Sequence, residues 1–230
     1  MAAAAGFDSF AEQYEAALAS GLRYSGEDSG FFARGRIEWL SRRLAGLDAA
    51  AERVLDFGCG TGSSAALLRD LLAATEVIGT DVSQRLLDRA RREHASVGIE
   101  FRTPDETPEE WADLAYCNGV FHHIVPHERP AAIAFVRRVL RPGGLFALWE
   151  NNPWNPGTRL VMRRIEFDRD AITLTPPETR RMLLAGGFEI LGTDSRFYFP
   201  HALAFLRGLE ERLTRIPLGA QYLVLAGRAR

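Results

Sequence analysis

The sequence predicts an α/β fold: an open, doubly wound sheet, mostly parallel, with an antiparallel last strand. Three observations predict it. Short apolar runs alternate with helical patterns from Arg53 onward. The first of these runs ends in glycines that open a helix. The last two strand-like runs are joined by a short helical stretch, which suits antiparallel neighbours.

The elements follow in order. Phe7, Phe10, Ala11, Tyr14, Ala17 and Leu18 recur at helical spacing, and Phe32, Ile37, Trp39, Leu40 and Leu44 mark a second helix. These form a helical cap over residues 1–48. Arg53–Phe57 is a first strand, Ser63–Ala73 a helix and Val77–Thr80 a second strand. Ser83 caps a helix running to about Ala95. Ile99–Arg102 and Asp113–Cys117 are strands three and four. Pro130–Leu140 reads as helix, stopped by Pro142-Gly143-Gly144, and Leu145–Glu150 is strand five. Glu178–Ala185 is a short helix. A strand lies within Phe188–Phe199, an amphipathic helix spans Leu203–Leu213, and Tyr222–Gly227 is the last strand. Parallel strands joined by helices imply right-handed crossovers. The main domain would then be 49–230, with inserted segments at about 151–175 and 200–218.

Composition narrows the chemistry. The chain has 28 Lys plus Arg, and every one is Arg. A phosphate-binding P-loop, a pyridoxal Schiff base and a protein kinase each need a lysine, so all three are excluded. A net charge of −2 gives no basic surplus for nucleic acid. Cys59 and Cys117 form no C-x-x-C pair and read as small space-fillers. No apolar run is long enough to span a bilayer, and the start lacks a signal-peptide pattern. A cytoplasmic protein, monomer or homodimer, is the expectation.

The strongest signal is Val54-Leu55-Asp56-Phe57-Gly58-Cys59-Gly60-Thr61-Gly62. A buried strand runs into three alternating glycines and a helix follows, so backbone can lie close against a ligand at the helix N-terminus. Asp81 ends the second strand about twenty residues on, where a carboxylate accepts ribose hydroxyls. The dinucleotide fingerprint G-x-G-x-x-G would need glycine at position 63, and Ser63 stands there. Asp56 beside the loop would repel a pyrophosphate and suits a cation. S-adenosylmethionine carries an ammonium and a sulfonium and no phosphate, so the charge pattern selects it over NAD.

Over roughly residues 7–150 the sequence resembles the class I S-adenosylmethionine-dependent methyltransferases, whose fold is Rossmann-like. Within them it is similar to the group of ubiquinone/menaquinone-biosynthesis and natural-product enzymes. Asp56-Phe57-Gly58-Cys59-Gly60-Thr61-Gly62 resembles the family's first motif. By the same resemblance Asp81 binds ribose, Val82 packs on adenine, and Asp105 contacts the adenine amino group beside the Glu106 amide. Pro104-Asp105-Glu106 departs from the usual Gly-Asp-Ala. Asn118-Gly119-Val120-Phe121-His122-His123 resembles the segment walling the methionine end, with Asn118, Gly119 and Phe121 toward the cofactor. Phe7–Tyr14 resembles a helix signature whose Tyr14 approaches the methionine end.

Methyl transfer from a sulfonium is an in-line displacement, so the protein mainly aligns nucleophile, methyl and sulfur. A base helps a hydroxyl acceptor. His122 and His123 follow strand four and Glu150 ends strand five, all on the sheet edge where ligands bind. His122 is preferred as base, because the histidine at the second position is common across the superfamily and structural in some members. Trp154, Phe197, Tyr198, Phe199, Leu203, Phe205, Leu206, Leu209 and Leu213 are candidates for an apolar pocket, or for ordinary core. Arg159, Arg163 and Arg164 could meet an anion or solvent. The spacing His122-His123-x-x-x-His127-Glu128 matches no helical ligand pattern, so no metal is expected. The expected activity is methyl transfer to a small-molecule hydroxyl. N- or C-methylation, a nicotinamide oxidoreductase and a non-catalytic binding protein are the alternatives.

Overall fold

The computed structural model describes residues 14–23, 25–165, 168–169 and 171–229. The signature Phe7–Gln13 lies outside them, as does the side chain of Tyr14.

Seven strands form one sheet in the order β3-β2-β1-β4-β5-β7-β6. They are β1 (Arg53–Phe57), β2 (Glu76–Thr80), β3 (Ile99–Arg102), β4 (Ala112–Asn118), β5 (Leu140–Asn151), β6 (Phe188–Arg196) and β7 (Gln221–Arg228). The first five are parallel, and β7 runs antiparallel to both β5 and β6. The order reverses between β1 and β4. In an open sheet that switch point is where a ligand crevice opens, beyond the carboxyl ends of the strands.

The helices are α1 (Tyr14–Leu22), α2 (Ser29–Ala45), α3 (Ala65–Leu72), α4 (Gln84–His94), α5 (Arg129–Val139), α6 (Pro156–Met162), α7 (Pro176–Ala185) and α8 (Glu210–Leu213). Alternating strand residues supply two cores. Val54, Val77, Leu114, Trp149, Leu223 and Leu225 face Ile37 and Leu40 of α2, Leu68 of α3 and Leu87 of α4. Leu55, Ala115, Phe146, Leu148 and Val224 face Ile133 and Val136 of α5 and Leu183 of α7. A period of two in the strands and of 3.6 in the helices produces this three-layer arrangement.

Three elements differ from expectation. β5 begins at Leu140, which already pairs with Ala112 before the register shifts toward Leu114. The Arg141–Gly144 turn is therefore an irregularity inside the strand. Residues 156–162 form α6, started by Asn155, whose side chain accepts from the Thr158 amide. The expected helix over Leu203–Leu213 is instead a 3-10 stretch, His201–Leu209, followed by the single turn of α8. Leu203 sits at φ −113°, ψ 22°, outside helical geometry. The buried Glu210 carboxylate takes the backbone amides of Phe197, Tyr198 and Phe199 at 3.2, 2.9 and 3.2 Å. Tertiary bonding to a buried carboxylate overrides the local helical pattern.

Candidate active site

β1 delivers Asp56 and then the glycine loop to the switch point. The amides of Gly58 and Cys59 both donate to the carbonyl of Thr80, at 2.8 and 3.0 Å, which lashes the loop to the end of β2. Gly58 has φ +71°, and a Cβ there would stand 2.4 Å from the side chain of Val120. Position 58 thus requires glycine for conformation and for space. Gly62 is closed in by the Phe101 ring in the same way. Gly60 differs: a Cβ there would meet nothing within 4 Å. Its missing side chain leaves an open face above the backbone.

Asp81 holds this loop. One carboxylate oxygen accepts from the Gly60 amide at 3.0 Å and the other from the Ser83 amide at 2.9 Å. Ser83 caps α4 through the Leu86 amide, as its sequence position predicts. Val82, between them, is 61% exposed, an apolar platform open to a flat ring. Asp105 is exposed on a 3-10 turn, Pro104–Glu106. The Glu106 amide already donates to Thr103 within that turn, and its carboxylate receives the Thr103 amide.

Asp56 is buried, and its Oδ2 accepts no hydrogen bond. Burial, then the charge of Asp81, push its carboxyl up to about 7, against the opposing pull of Arg36. An unsatisfied buried carboxylate costs free energy that a cation or donor would recover. Arg36 is itself buried on α2, donating to the Tyr116 hydroxyl at 3.1 Å and to Gln221 Oε1 at 3.0 Å. The orphan carboxylate oxygen, the open face at Gly60 and the Asp81 clamp fit S-adenosylmethionine, whose ammonium would answer Asp56. Cys59 is partly buried, and burial followed by the charges of Asp56 and Asp81 raises its thiol well above the ordinary range.

Beyond the loop, along the same sheet edge, lies a cavity of about 410 Å³. Asn118, Gly119, His122 and His123 form one wall after β4, and Asn151 and Gln221 close the strand ends. Phe31, Phe32 and Phe197 supply an aromatic wall, with the Phe32 and Phe197 ring centroids 5.1 Å apart. Phe197 holds φ +62°, a strained conformation kept by the Glu210 bonds. Asp168 completes the histidine wall. His123 Nε2 is 3.2 Å and His122 Nε2 3.5 Å from Asp168 Oδ1.

Several sequence-based expectations are corrected here. Phe121 is fully buried against Phe57 and Phe146, so it belongs to the core and not to the cofactor surface. The Phe57 ring likewise packs on Phe121 and Phe135, leaving only backbone for the cofactor side. Glu150 is buried and absent from the cavity lining. It accepts from the Phe121 amide at 2.9 Å and meets His122 Nδ1 at 2.6 Å, so it positions His122 rather than reaching an acceptor. His122 does not suit the role of base. Burial alone would lower its pKa, but the Glu150 charge and the bonds to Asp168 and Glu150 prevail and push it up to about 10. Both ring nitrogens face carboxylates. Trp154, Leu203, Phe205 and Leu209 are exposed and stand outside the cavity, as do Arg159, Arg163 and Arg164.

Sequence reasoning missed Arg36, Asp168, Gln221 and Arg129. Arg129 donates to the carbonyls of Phe121, Ile124 and Ile172 at 3.1, 2.9 and 2.7 Å, tying the histidine loop to the segment beyond Asp168. The Ile172 amide also donates to the His122 carbonyl at 2.8 Å. None of these residues stands in a local pattern; each acts across the fold.

Comparison with known proteins agrees with this geometry. Residues 54–144 match the methyltransferase domain family. Ubiquinone/menaquinone biosynthesis C-methyltransferase UbiE of Desulfotalea psychrophila is 29% identical over 52% of this chain and 49% of its own length. Trans-aconitate 2-methyltransferase of Variovorax paradoxus is 32% identical over 50% of this chain and 44% of its own. The chain thus spans about half the length of these curated relatives. An S-adenosylmethionine-dependent methyltransferase structure from Mesorhizobium loti shares the fold, with TM-score 0.57 and 24% identity over 78% of this chain and 92% of that one. Loop, acidic partners, sheet order and relatives agree: residues 54–144 match a methyltransferase domain, and the chain resembles the class I S-adenosylmethionine-dependent methyltransferases, in particular their ubiquinone/menaquinone-biosynthesis group.

Proposed function

We propose that this chain methylates a small-molecule acceptor seated in the 410 Å³ cavity, with a hydroxyl oxygen as the first-choice nucleophile. The observation that carries the reading is the buried, unsatisfied Asp56 oxygen beside the open face of Gly60. S-adenosylmethionine, when bound, supplies an activated methyl group. The chain's own residues then have three tasks.

Asp56 and Arg36 set the charge at the methionine end: the carboxylate draws an ammonium, and the guanidinium is available to a carboxylate. Asp81 and Val82 orient the ribose and the adenine, with Asp105 as the candidate contact for the amino group. Asn118 and Gly119, at the end of β4, line the cavity and are placed to set the line of approach. Holding the reacting atoms in line can itself supply a large part of the rate enhancement. On the acceptor side His123 Nε2 lies 3.2 Å from Asp168 Oδ1, which orients the ring on the cavity wall as the candidate base for a hydroxyl proton. Glu150 acts one step further back, through His122.

A carbon nucleophile is the second reading. The Phe31, Phe32 and Phe197 wall favours a planar apolar acceptor, and one relative is named a C-methyltransferase.

The test is methyl transfer from labelled S-adenosylmethionine to a panel of phenols, enolic rings and carboxylic acids, read by mass spectrometry. Calorimetric binding of S-adenosylhomocysteine runs beside it. A methylated oxygen supports the first reading and a methylated carbon the second. Failure to bind S-adenosylhomocysteine overturns both.

A further inference from the structure

We propose that His122, His123 and Asp168 form a binding site for one divalent transition-metal ion on the wall of the acceptor cavity. Their ligand atoms all lie within 4.8 Å of one another, and all three residues line the cavity.

The spacing is the first argument. Two ligands held about 2.0–2.2 Å from a shared ion at tetrahedral or octahedral angles stand roughly 3.0–3.5 Å apart. Asp168 Oδ1 is 3.2 Å from His123 Nε2 and 3.5 Å from His122 Nε2. The His122 and His123 rings lie side by side, with centroids 4.2 Å apart, so both nitrogens reach the same carboxylate.

The support behind the ligands is the second. Histidine ligands of metals commonly donate their other ring nitrogen to a carboxylate, which fixes tautomer and orientation. Glu150 does this for His122 at 2.6 Å and is itself held by the Phe121 amide at 2.9 Å. Arg129 and the Ile172 amide fix the loop that carries both histidines. A site built on rigid backbone loses little entropy when it takes its ion.

Charge is the third. Glu150 and Asp168 are two buried carboxylates beside two imidazoles. With both rings neutral, a dication balances the pair. The ion takes the place of protons on the imidazoles, which leave to solvent. Two nitrogens and one carboxylate select zinc, iron(II), cobalt(II) or manganese(II) over calcium or magnesium. Three protein ligands leave coordination positions facing the cavity. If the cavity is the acceptor site proposed above, those positions take an acceptor oxygen, and the ion rather than His123 favours its deprotonated form. The site itself does not depend on that role. Asp168 lies more than forty residues beyond the histidines in the chain, so sequence spacing gives no sign of the cluster.

The full chain, stripped of metal with chelator, is titrated with Co²⁺ and followed by visible absorption and calorimetry, with Zn²⁺ as competitor. Wild type is expected to take one equivalent with the bands of nitrogen-ligated Co²⁺. Asp168→Asn and His123→Ala should each bind at least tenfold more weakly, and Glu150→Gln by about 10–100-fold. S-adenosylhomocysteine binding and circular dichroism confirm that each variant is folded. A wild type that takes no equivalent, or variants Asp168→Asn and His123→Ala that hold Co²⁺ as tightly, overturns the proposal. Cofactor binding is read separately, so loss of the metal site leaves the methyltransferase reading intact, and the reverse holds.

Discussion

Glu150 Oε2 lies 2.6 Å from His122 Nδ1, a contact buried at the centre of the sheet edge and joined on its other side by the Phe121 amide. Removing one partner of a buried ion pair strands the other. Glu150→Gln keeps an acceptor for Phe121 but presents an uncharged group to His122. Urea unfolding of the metal-free protein should show a loss of about 3 kcal/mol. A loss under 1 kcal/mol would mean that the pair is not charged in the folded protein.

The same pair makes the metal-free protein sensitive to alkali. His122 titrates at about 10 in the fold against an ordinary 6.5. A raised histidine stabilises fully below its unfolded pKa, and that stability is lost as pH climbs toward the folded value. Melting temperature in the presence of chelator should therefore fall between about pH 6.5 and 10. Glu150→Gln should flatten this slope. An NMR titration of the His122 ring with a midpoint near 6.5 would contradict it.

Asp56 works in the opposite sense. Its carboxyl is raised from 3.8 to about 7, so the folded protein binds the proton more tightly than the unfolded chain. That contribution destabilises progressively as pH rises from about 4 to 7, by roughly 4 kcal/mol at most. An ammonium ligand favours the ionised form. S-adenosylhomocysteine affinity should accordingly strengthen from pH 6 to 8, and Asp56→Asn should bind weakly with little pH dependence. Calorimetry across that range decides it.

Gly58 and Gly60 should respond differently to the same substitution. Gly60→Ala meets open space, and its left-handed φ of +55° costs about 1–2 kcal/mol. Its main effect should be at least a tenfold loss of S-adenosylhomocysteine affinity, because the added methyl group occupies the ligand's face. Gly58→Ala adds a collision with Val120 at 2.4 Å and should lose more stability than Gly60→Ala. Equal losses of stability and affinity in the two variants would deny the cradle at Gly60.

The geometry of the glycine loop and its acidic partner was legible from sequence because it is local. Gly58, Gly60 and Gly62 sit on one turn, and Asp81 follows at the end of the neighbouring strand, so spacing alone places them. β1 to β4 were read within one or two residues for the same reason. The acceptor half was not legible. Asp168, Arg129 and Glu210 act through partners far away in the chain, and periodicity carries no trace of them. Phe121 and Glu150 misled because strand-end residues alternate faces, and a one-residue step decides between the core and the crevice.

Arg129 grips three carbonyls from two segments of chain, so the side of the chamber bearing the histidines is a fixed partition. On the proposed reading, acceptor and product then pass elsewhere, and the entrance falls among the other lining residues, which include Phe31, Phe32, Leu160, Val161, Tyr198 and Phe199.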